Sequence, residues 1–351
     1  MTLFYRLLPT PQETTLEALT SDLQKAKAKP LGIAHKEVTD FCGALSAFLL
    51  NDVAARRFAD LQALGFWLRP ASIAKLTEHA TAMLPDRLRV PQGTVFQLSP
   101  GNVPTLFGYH AILSLLCGNA TLVRLPSRTS DAQRLLLEGI YRTLPETLAP
   151  YLYFLRYEHD DTLTQGLSSL CNVRMSWGGD ATVAHIRSIP LPPLAREIGF
   201  ANRFSLAALS AEKFLALDEA ETTTLAQKLI TDLFEFDQMA CSSPRLLIWI
   251  GQDKDRTLAA TRLYPRLAEL ALQKYGAPDA SANIAKLNAA FLALHDLQVR
   301  KKTTFTPALT VLSLSSWHGM EAFRSLEFGH GLLLDQRLDT LAALADYVQP
   351  K

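Results

Sequence analysis

Residues 94–104 read TVFQLSPGNVP, which divides into an apolar run of strand length, a polar turn and the start of an apolar helix near Thr105. Short apolar runs bounded by turn residues are typical of buried strands. A strand that passes through such a turn into a helix presents backbone N–H groups to an anion. Alternatively, Asn102 only caps the helix, and turn chemistry explains the segment without a ligand.

Alternation of strands and helices continues from this segment to residue 176 and resumes after residue 204. Such alternation indicates an α/β fold with a parallel, doubly wound sheet, whose ligands bind at the carboxyl ends of the strands. Two amphipathic helices are predicted before it, at 16–27 and 37–64, the first with a capping pattern at 10–13. The predicted strands are 94–98, 120–125, 152–156, 172–176, 205–209, 246–250 and 309–314, and the predicted helices are 105–117, 130–144, 161–169, 181–188, 222–236, 257–275, 280–294 and 338–347.

Residues 236–245, FDQMACSSPR, set Cys241 among small residues between a predicted helix and a predicted strand. A nucleophilic thiol needs an exposed position of this kind. A small buried thiol that fills a helix–strand corner would give the same pattern. The segment alone therefore leaves a catalytic and a structural interpretation open.

Two further segments complete an ordered set, MSWGGD at 175–180 and EIGFANR at 197–203. The order of the Asn turn, the Gly-Gly turn, Glu-x-Gly and the cysteine resembles the aldehyde dehydrogenase superfamily. GNVP at 101–104, WGG at 177–179 and DQxACS at 237–242 are most similar to its LuxC-type fatty acyl-CoA reductase branch. Each motif alone is weak, and their order and spacing carry the resemblance from roughly residue 90 to the C-terminus.

The resemblance implies an aldehyde dehydrogenase-like α/β fold, with a doubly wound parallel nucleotide-binding domain and a second α/β catalytic domain. We expect residues 1–90 to form an N-terminal helical entry module packed on the nucleotide domain. Residues 91–200 would then be the NAD(P)-binding domain, and residues 201–351 the catalytic, cysteine-bearing domain. The family continues with a further strand and a C-terminal segment, so the C-terminal end is expected to be short, which bears on oligomerisation and activity.

The activity implied by the resemblance is NADPH-dependent reduction of a long-chain fatty acyl-CoA to the fatty aldehyde. Cys241 would attack the thioester and carry the acyl group, while the Asn102 amide and the Cys241 backbone N–H would bind the oxyanion. Glu197 occupies the position of the general base in aldehyde-oxidising relatives. Two roles are therefore open for Glu197, general acid/base catalysis and a structural role as an ion pair or at the domain junction.

Cofactor binding is expected at two places. Gly178 and Gly179 would let the backbone approach a pyrophosphate at the N-terminus of the predicted helix 181–188. Arg124 matches the family's cation on the adenosine ribose, and Ser127 with Arg128 would contact a 2′-phosphate, which favours NADPH over NADH. A solvated loop is the alternative for these last residues.

Two alternatives of different kinds remain. One is another aldehyde dehydrogenase-type enzyme, such as a semialdehyde dehydrogenase or a CoA-acylating aldehyde dehydrogenase. The other is a catalytically reduced scaffold for an acyl-transferring partner. The partners implied by the resemblance are an acyl-CoA substrate, an acyl-protein synthetase or acyl carrier protein, and a second copy of the chain in a homo-oligomer.

Composition is that of a cytoplasmic enzyme. The 351 residues carry 35 Lys+Arg against 34 Asp+Glu, a formal net charge of +1, which argues against a nucleic-acid or membrane-surface binder. The cysteines form no C-x-x-C pair, so neither a metal site nor a disulfide framework is predicted. The longest apolar runs are too short to span a bilayer. We interpret His110, Cys117, Cys171 and His330 as structural.

Overall fold

The structure is a computed structural model, and it describes residues 4–6, 12–83, 85–101, 103–127, 129–315, 323 and 329–348. The chain divides into two compact units, with the boundary between Ala201 and Asn202. Each unit contains one sheet covered by helices, in agreement with the α/β class expected from the sequence.

The first unit is built around a seven-stranded sheet of order β2-β1-β5-β4-β3-β6-β7. Strands β5, β4, β3, β6 and β7 run parallel, and β1 is antiparallel to both β2 and β5. The strands are β1 (Phe4–Arg6), β2 (Gln12–Thr14), β3 (Thr94–Leu98), β4 (Ala120–Arg124), β5 (Leu152–Arg156), β6 (Val173–Trp177) and β7 (Arg196–Phe200), and the helices are α1 (Leu16–Ala28), α2 (Lys36–Asn51), α3 (Ala59–Trp67), α4 (Pro70–Ala82), α5 (Leu106–Leu116), α6 (Asp131–Thr143), α7 (Asp161–Ser169) and α8 (Asp180–Ser188).

The core of this unit joins the N-terminal helices to the sheet. Leu19 of α1 and Phe41 of α2 belong to the same buried cluster as Phe96 of β3 and Leu122 of β4. Every residue of β3 is buried, as expected for a central parallel strand with helices on both faces. Burial of this shared apolar surface is the main stabilising term, and it makes the first four helices part of the same folded unit as the sheet.

The second unit holds a five-stranded sheet of order β10-β11-β12-β9-β8, parallel except for β10, which is antiparallel to β11. Alternate residues of β9 enter two separate cores, Leu247 and Trp249 in one, Leu246 and Ile248 in the other. The period of two shows that both faces of the strand are covered. The elements are β8 (Ser205–Ser210), α9 (Ala211–Leu215), α10 (Glu219–Phe234), β9 (Pro244–Ile250), α11 (Asp253–Tyr275), α12 (Ala280–Asp296), β10 (Val299–Thr306), β11 (Leu309–Leu314), β12 (Leu332–Leu338) and α13 (Leu341–Val348).

Two local predictions near the N-terminus are wrong. The single helix predicted at 37–64 is broken, because the Asp52 carboxylate accepts hydrogen bonds from the N–H groups of Ala54 and Ala55, both at 2.9 Å, and a 3₁₀ turn follows before α3. The capping pattern predicted at 10–13 does not cap α1, since Gln12 and Glu13 pair in β2 and Thr15 is the N-cap. Thr10 and Pro11 lie outside the described residues.

Candidate functional site

Cys241 lies in the second unit, in the turn between a 3₁₀ turn at Glu235–Gln238 and the start of β9. Its side chain is exposed. The Ser205 hydroxyl, at the start of β8, donates a 2.6 Å hydrogen bond to the Cys241 carbonyl oxygen and so ties the turn to the edge of the sheet. The nucleophile predicted from the sequence is therefore at a strand N-terminus in an accessible turn, rather than filling a core.

In the first unit, the carboxyl ends of β6 and β7 are tied together by the Gly178 N–H, which donates to the Phe200 carbonyl oxygen at 3.2 Å. Gly179 is the N-cap of α8 and provides no side-chain cap. A Cβ at Gly178 would lie 3.0 Å from Thr182, so a side chain there would crowd the first turn of α8. Neither glycine carries a side chain of its own over the backbone before α8, which is what the approach of a phosphate requires.

Arg124 is the last residue of β4, and its guanidinium is held by Tyr157. Its Nη2 lies 3.4 Å from the Tyr157 carbonyl oxygen, and its Cζ is 4.9 Å from the centroid of the Tyr157 ring. Burial raises the pKa of Tyr157 to about 12, so this ring is neutral at physiological pH. Ser127 is exposed just beyond the strand. Arg128 and Asn102, the two other predicted contacts, lie outside the described residues.

Arg156 is a candidate that the sequence argument missed. It ends β5, the strand beside β4, and so occupies the same edge of the sheet as Arg124. Its Nη2 donates to the Thr129 hydroxyl in the loop after Ser127, and its buried Nε has no hydrogen-bond partner among the described residues. The available signal was that Arg156, like Arg124, is a basic residue at the end of a predicted strand. The sequence alone did not show that these two strands are neighbours in the sheet.

Glu197 stands opposite Arg174 in the pairing of β7 with β6. Its Oε1 accepts hydrogen bonds from Nε and Nη2 of Arg174, at 3.1 and 3.0 Å. The Arg174 side chain is fully buried, whereas that of Glu197 is 19% exposed. Nη1 of Arg174 donates to the Ser168 hydroxyl at 3.2 Å and to the Ile189 carbonyl oxygen at 3.0 Å. The Glu197 carboxylate is thus the counter-charge of a buried guanidinium.

An aromatic stack lies at the same edge of the first sheet. The rings of His110 and Trp177 are 4.4 Å apart and stacked, and the rings of Trp177 and Phe200 are 4.7 Å apart and nearly parallel, at 7°. Burial lowers the pKa of His110 to about 4, so its imidazole is neutral at physiological pH. Phe200, the outermost ring, is 36% exposed and leaves a planar apolar surface open.

The candidate residues divide between the units. Cys241 belongs to the second, and Arg124, Ser127, Gly178, Gly179 and Glu197 belong to the first. Within the part of the chain that the structure describes, no group of three or more His, Cys, Asp or Glu side chains is placed to hold a metal ion. None of the helices in the described ranges is long and apolar enough to cross a bilayer.

A family model described as Acyl-CoA reductase (LuxC) matches residues 86–317. A comparison with curated proteins returns no match.

Solved structures of aldehyde dehydrogenases share the fold. An NAD-dependent aldehyde dehydrogenase from Sinorhizobium meliloti superposes with a TM-score of 0.66 at 14% identity, over 95% of this chain and 72% of that one. An NAD-dependent benzaldehyde dehydrogenase from Corynebacterium glutamicum gives a TM-score of 0.60 at 14% identity, over 99% and 83%. An indole-3-acetaldehyde dehydrogenase complexed with NAD+ gives 0.64 at 16% identity, over 95% and 72%. These likenesses confirm the fold class predicted from the sequence.

Proposed function

Because the chain belongs to the acyl-CoA reductase (LuxC) family and is an oxidoreductase acting on acyl groups, we propose that it reduces a long-chain fatty acyl-CoA with NADPH through a thioester on Cys241. The observation that carries the proposal is the exposed thiol of Cys241 in the turn before β9. A nucleophilic cysteine must be accessible to its substrate, and an inert structural one is usually buried, as Cys42 and Cys171 are here.

The Cys241 thiolate attacks the carbonyl carbon of the acyl-CoA and the C–S bond to coenzyme A breaks, so that coenzyme A leaves as the thiolate and takes a proton from water. Negative charge on the acyl oxygen is stabilised by the Cys241 backbone N–H and the Asn102 side-chain amide, a contribution of about 3 kcal/mol in comparable sites. When bound, NADPH supplies the hydride that reduces the acyl carbon. The aldehyde then leaves and Cys241 is regenerated as the thiolate.

The first unit offers a surface that fits a dinucleotide. The bare N-terminus of α8, after Gly178 and Gly179, takes the pyrophosphate. Arg124, at the end of β4, would contact the adenosine ribose, and Arg156, at the end of the adjacent strand β5, would contact the additional phosphate of NADPH. Since β4 and β7 lie on opposite sides of β6 in the sheet, a dinucleotide held by Arg124 at one end would have Phe200 near its nicotinamide end. The preference for NADPH over NADH rests on these two arginines together with Ser127 and Arg128.

Glu197 has a structural role in this proposal. Its carboxylate neutralises Arg174 inside the first unit, and reduction by hydride transfer needs no water activated by a general base. The ion pair fixes β7 against β6, and those two strands end in the Gly178 turn and in Phe200. Glu197 therefore supports the cofactor surface through Arg174 rather than by proton transfer.

The proposal is tested by incubating the protein with a long-chain acyl-CoA and mapping the adduct by mass spectrometry. We expect one acyl group on Cys241, which disappears on addition of NADPH as the aldehyde forms. The control variant is Cys117→Ser, which removes the other exposed thiol and should acylate normally. Acylation that persists in Cys241→Ser, or that requires an acyl phosphate in place of acyl-CoA, would contradict the proposal.

A further inference from the structure

The turn that leads to Cys241 contains three consecutive residues in the left-handed conformation. Phe236 has φ 56° and ψ 30°, Asp237 has φ 52° and ψ 39°, and Gln238 has φ 63°. This conformation costs about 1–2 kcal/mol for each residue other than glycine, and it is least favourable for a bulky side chain such as Phe236. Strain of this kind persists only where surrounding contacts impose it.

Gln238 supplies the first set of such contacts. Gln238 is 1% exposed, and its side chain is hydrogen-bonded both to the start of β9 and to the segment before β12. Nε2 donates to the carbonyl oxygens of Pro244 and Leu332, both at 3.0 Å, and Oε1 accepts from the Gly331 N–H at 3.1 Å. The amide thus joins the turn before Cys241 to the segment Gly329–Leu332.

His330 supplies the second set. Its Nδ1 forms a close hydrogen bond with the Asp237 carboxylate, and its backbone N–H donates to the Asp237 carbonyl oxygen at 3.2 Å. His330 is itself left-handed, with φ 56°. Gly331 beside it has φ 78°, and a Cβ there would lie 1.8 Å from the Ala308 carbonyl oxygen, so only glycine fits this position against the turn before β11. Hydrogen bonds from His330 and Gly331 thus connect a closely packed segment to Asp237 and Gln238.

We propose that Asp237, Gln238 and His330 are positioning residues for the Cys241 nucleophile. They act on the backbone that carries the thiol, which lies three residues beyond Gln238. The inference rests on the proposed role of Cys241 as nucleophile. A displacement of about 1 Å in a reacting group can cost about a hundredfold in rate, so a turn held in one strained conformation sets the rate of acyl transfer.

Three substitutions of His330 separate the hydrogen bond from the backbone conformation. His330→Asn keeps a nitrogen donor near the position of Nδ1 and tolerates positive φ, His330→Gly keeps only the conformational freedom, and His330→Ala keeps neither. The matched control is His295→Ala, which removes another histidine bonded to an aspartate, Asp296, at 2.7 Å on α12.

Single-turnover acylation of Cys241 by a long-chain acyl-CoA is the primary measurement. We expect His330→Gly and His330→Ala to acylate about ten- to a hundredfold more slowly, with little change in KM for the acyl-CoA, and His330→Asn to retain most of the rate. Amide exchange at Gly331 should accelerate in the two slow variants only. Alkylation of Cys241 by iodoacetamide, which needs an accessible thiolate but not the geometry of acyl transfer, should change little.

Three outcomes overturn the inference. If wild type acylates and His330→Gly acylates equally fast, the bond to Asp237 has no positioning role, while the proposed function stands. If wild type does not acylate at Cys241, both the proposed function and the inference fail. A loss of rate in His295→Ala equal to that in His330→Ala would also overturn it, because the effect would then not belong to the turn.

Discussion

Replacing Glu197 by Gln tests whether this residue is structural or catalytic. The substitution keeps the size of the side chain and an oxygen that can accept from Arg174, but it removes the charge. The Arg174 guanidinium remains fully buried with its bonds to Ser168 and Ile189 and no carboxylate. Losing one partner of a buried ion pair costs about 3–5 kcal/mol. Because the Gln oxygen still accepts from the charged guanidinium, and a hydrogen bond to a charged group contributes about 1.5–3 kcal/mol, we expect a smaller loss of about 2 kcal/mol in the free energy of unfolding.

Calorimetry measures this loss. For a unit of this size, about 2 kcal/mol corresponds to a fall of about 4–8 °C in Tm. Glu197→Ala, which leaves Arg174 without the acceptor as well, should cost about 3–5 kcal/mol. The matched control is Glu138→Gln on α6, whose pair with Arg142 at 3.2 Å is exposed and should contribute less than about 1 kcal/mol.

Activity is then measured well below the lowered Tm. We expect Glu197→Gln to reduce acyl-CoA at close to the rate of the wild type, because no step of the proposed mechanism needs its carboxylate. A fall of about a hundredfold or more in kcat, together with an unchanged Tm, would refute the reasoning and assign Glu197 to general acid/base catalysis.

Three further variants test the cofactor and oxyanion proposals, and a fourth tests the pH dependence of stability. Asn102→Ala should slow acylation about a hundredfold without changing NADPH affinity in a titration, and an unchanged rate would leave Asn102 as a helix cap. Arg156→Leu should weaken NADPH about tenfold or more and leave NADH nearly unaffected in calorimetric titration; equal losses would remove the basis for the NADPH preference. Phe200→Ala should weaken NADPH about two- to tenfold but not its fragment without the nicotinamide, and an equal loss for the fragment would place the ring elsewhere. Because the pKa of His110 is lowered to about 4, the folded protein resists protonation, and the free energy of unfolding should fall as the pH drops from about 6.5 to about 4. His110→Phe should weaken that dependence in thermal melts, and an unchanged slope would exclude His110 as its source.

Local patterns in the sequence determined the parts of the molecule that depend on near neighbours. The sequence predicted the strand β3 and the turn that follows it close to their positions in the structure. It also predicted that Gly178 and Gly179 precede α8 and that Cys241 precedes β9. Strand and helix periods and turn chemistry are fixed by residues a few positions apart, so one sequence is enough to reveal them.

Only the tertiary structure decided which distant residues meet. The order of the strands places Arg156 on the strand beside that of Arg124, and the pairing of β7 with β6 places Glu197 opposite Arg174. The turn that precedes β12 brings His330 into hydrogen-bonding contact with Asp237, 93 residues away in the sequence. No local period encodes these pairs, since they follow from the order in which strands join a sheet and from packing of a shared core. The sequence thus identified the candidate chemical groups, whereas long-range pairing determined which residues each group contacts.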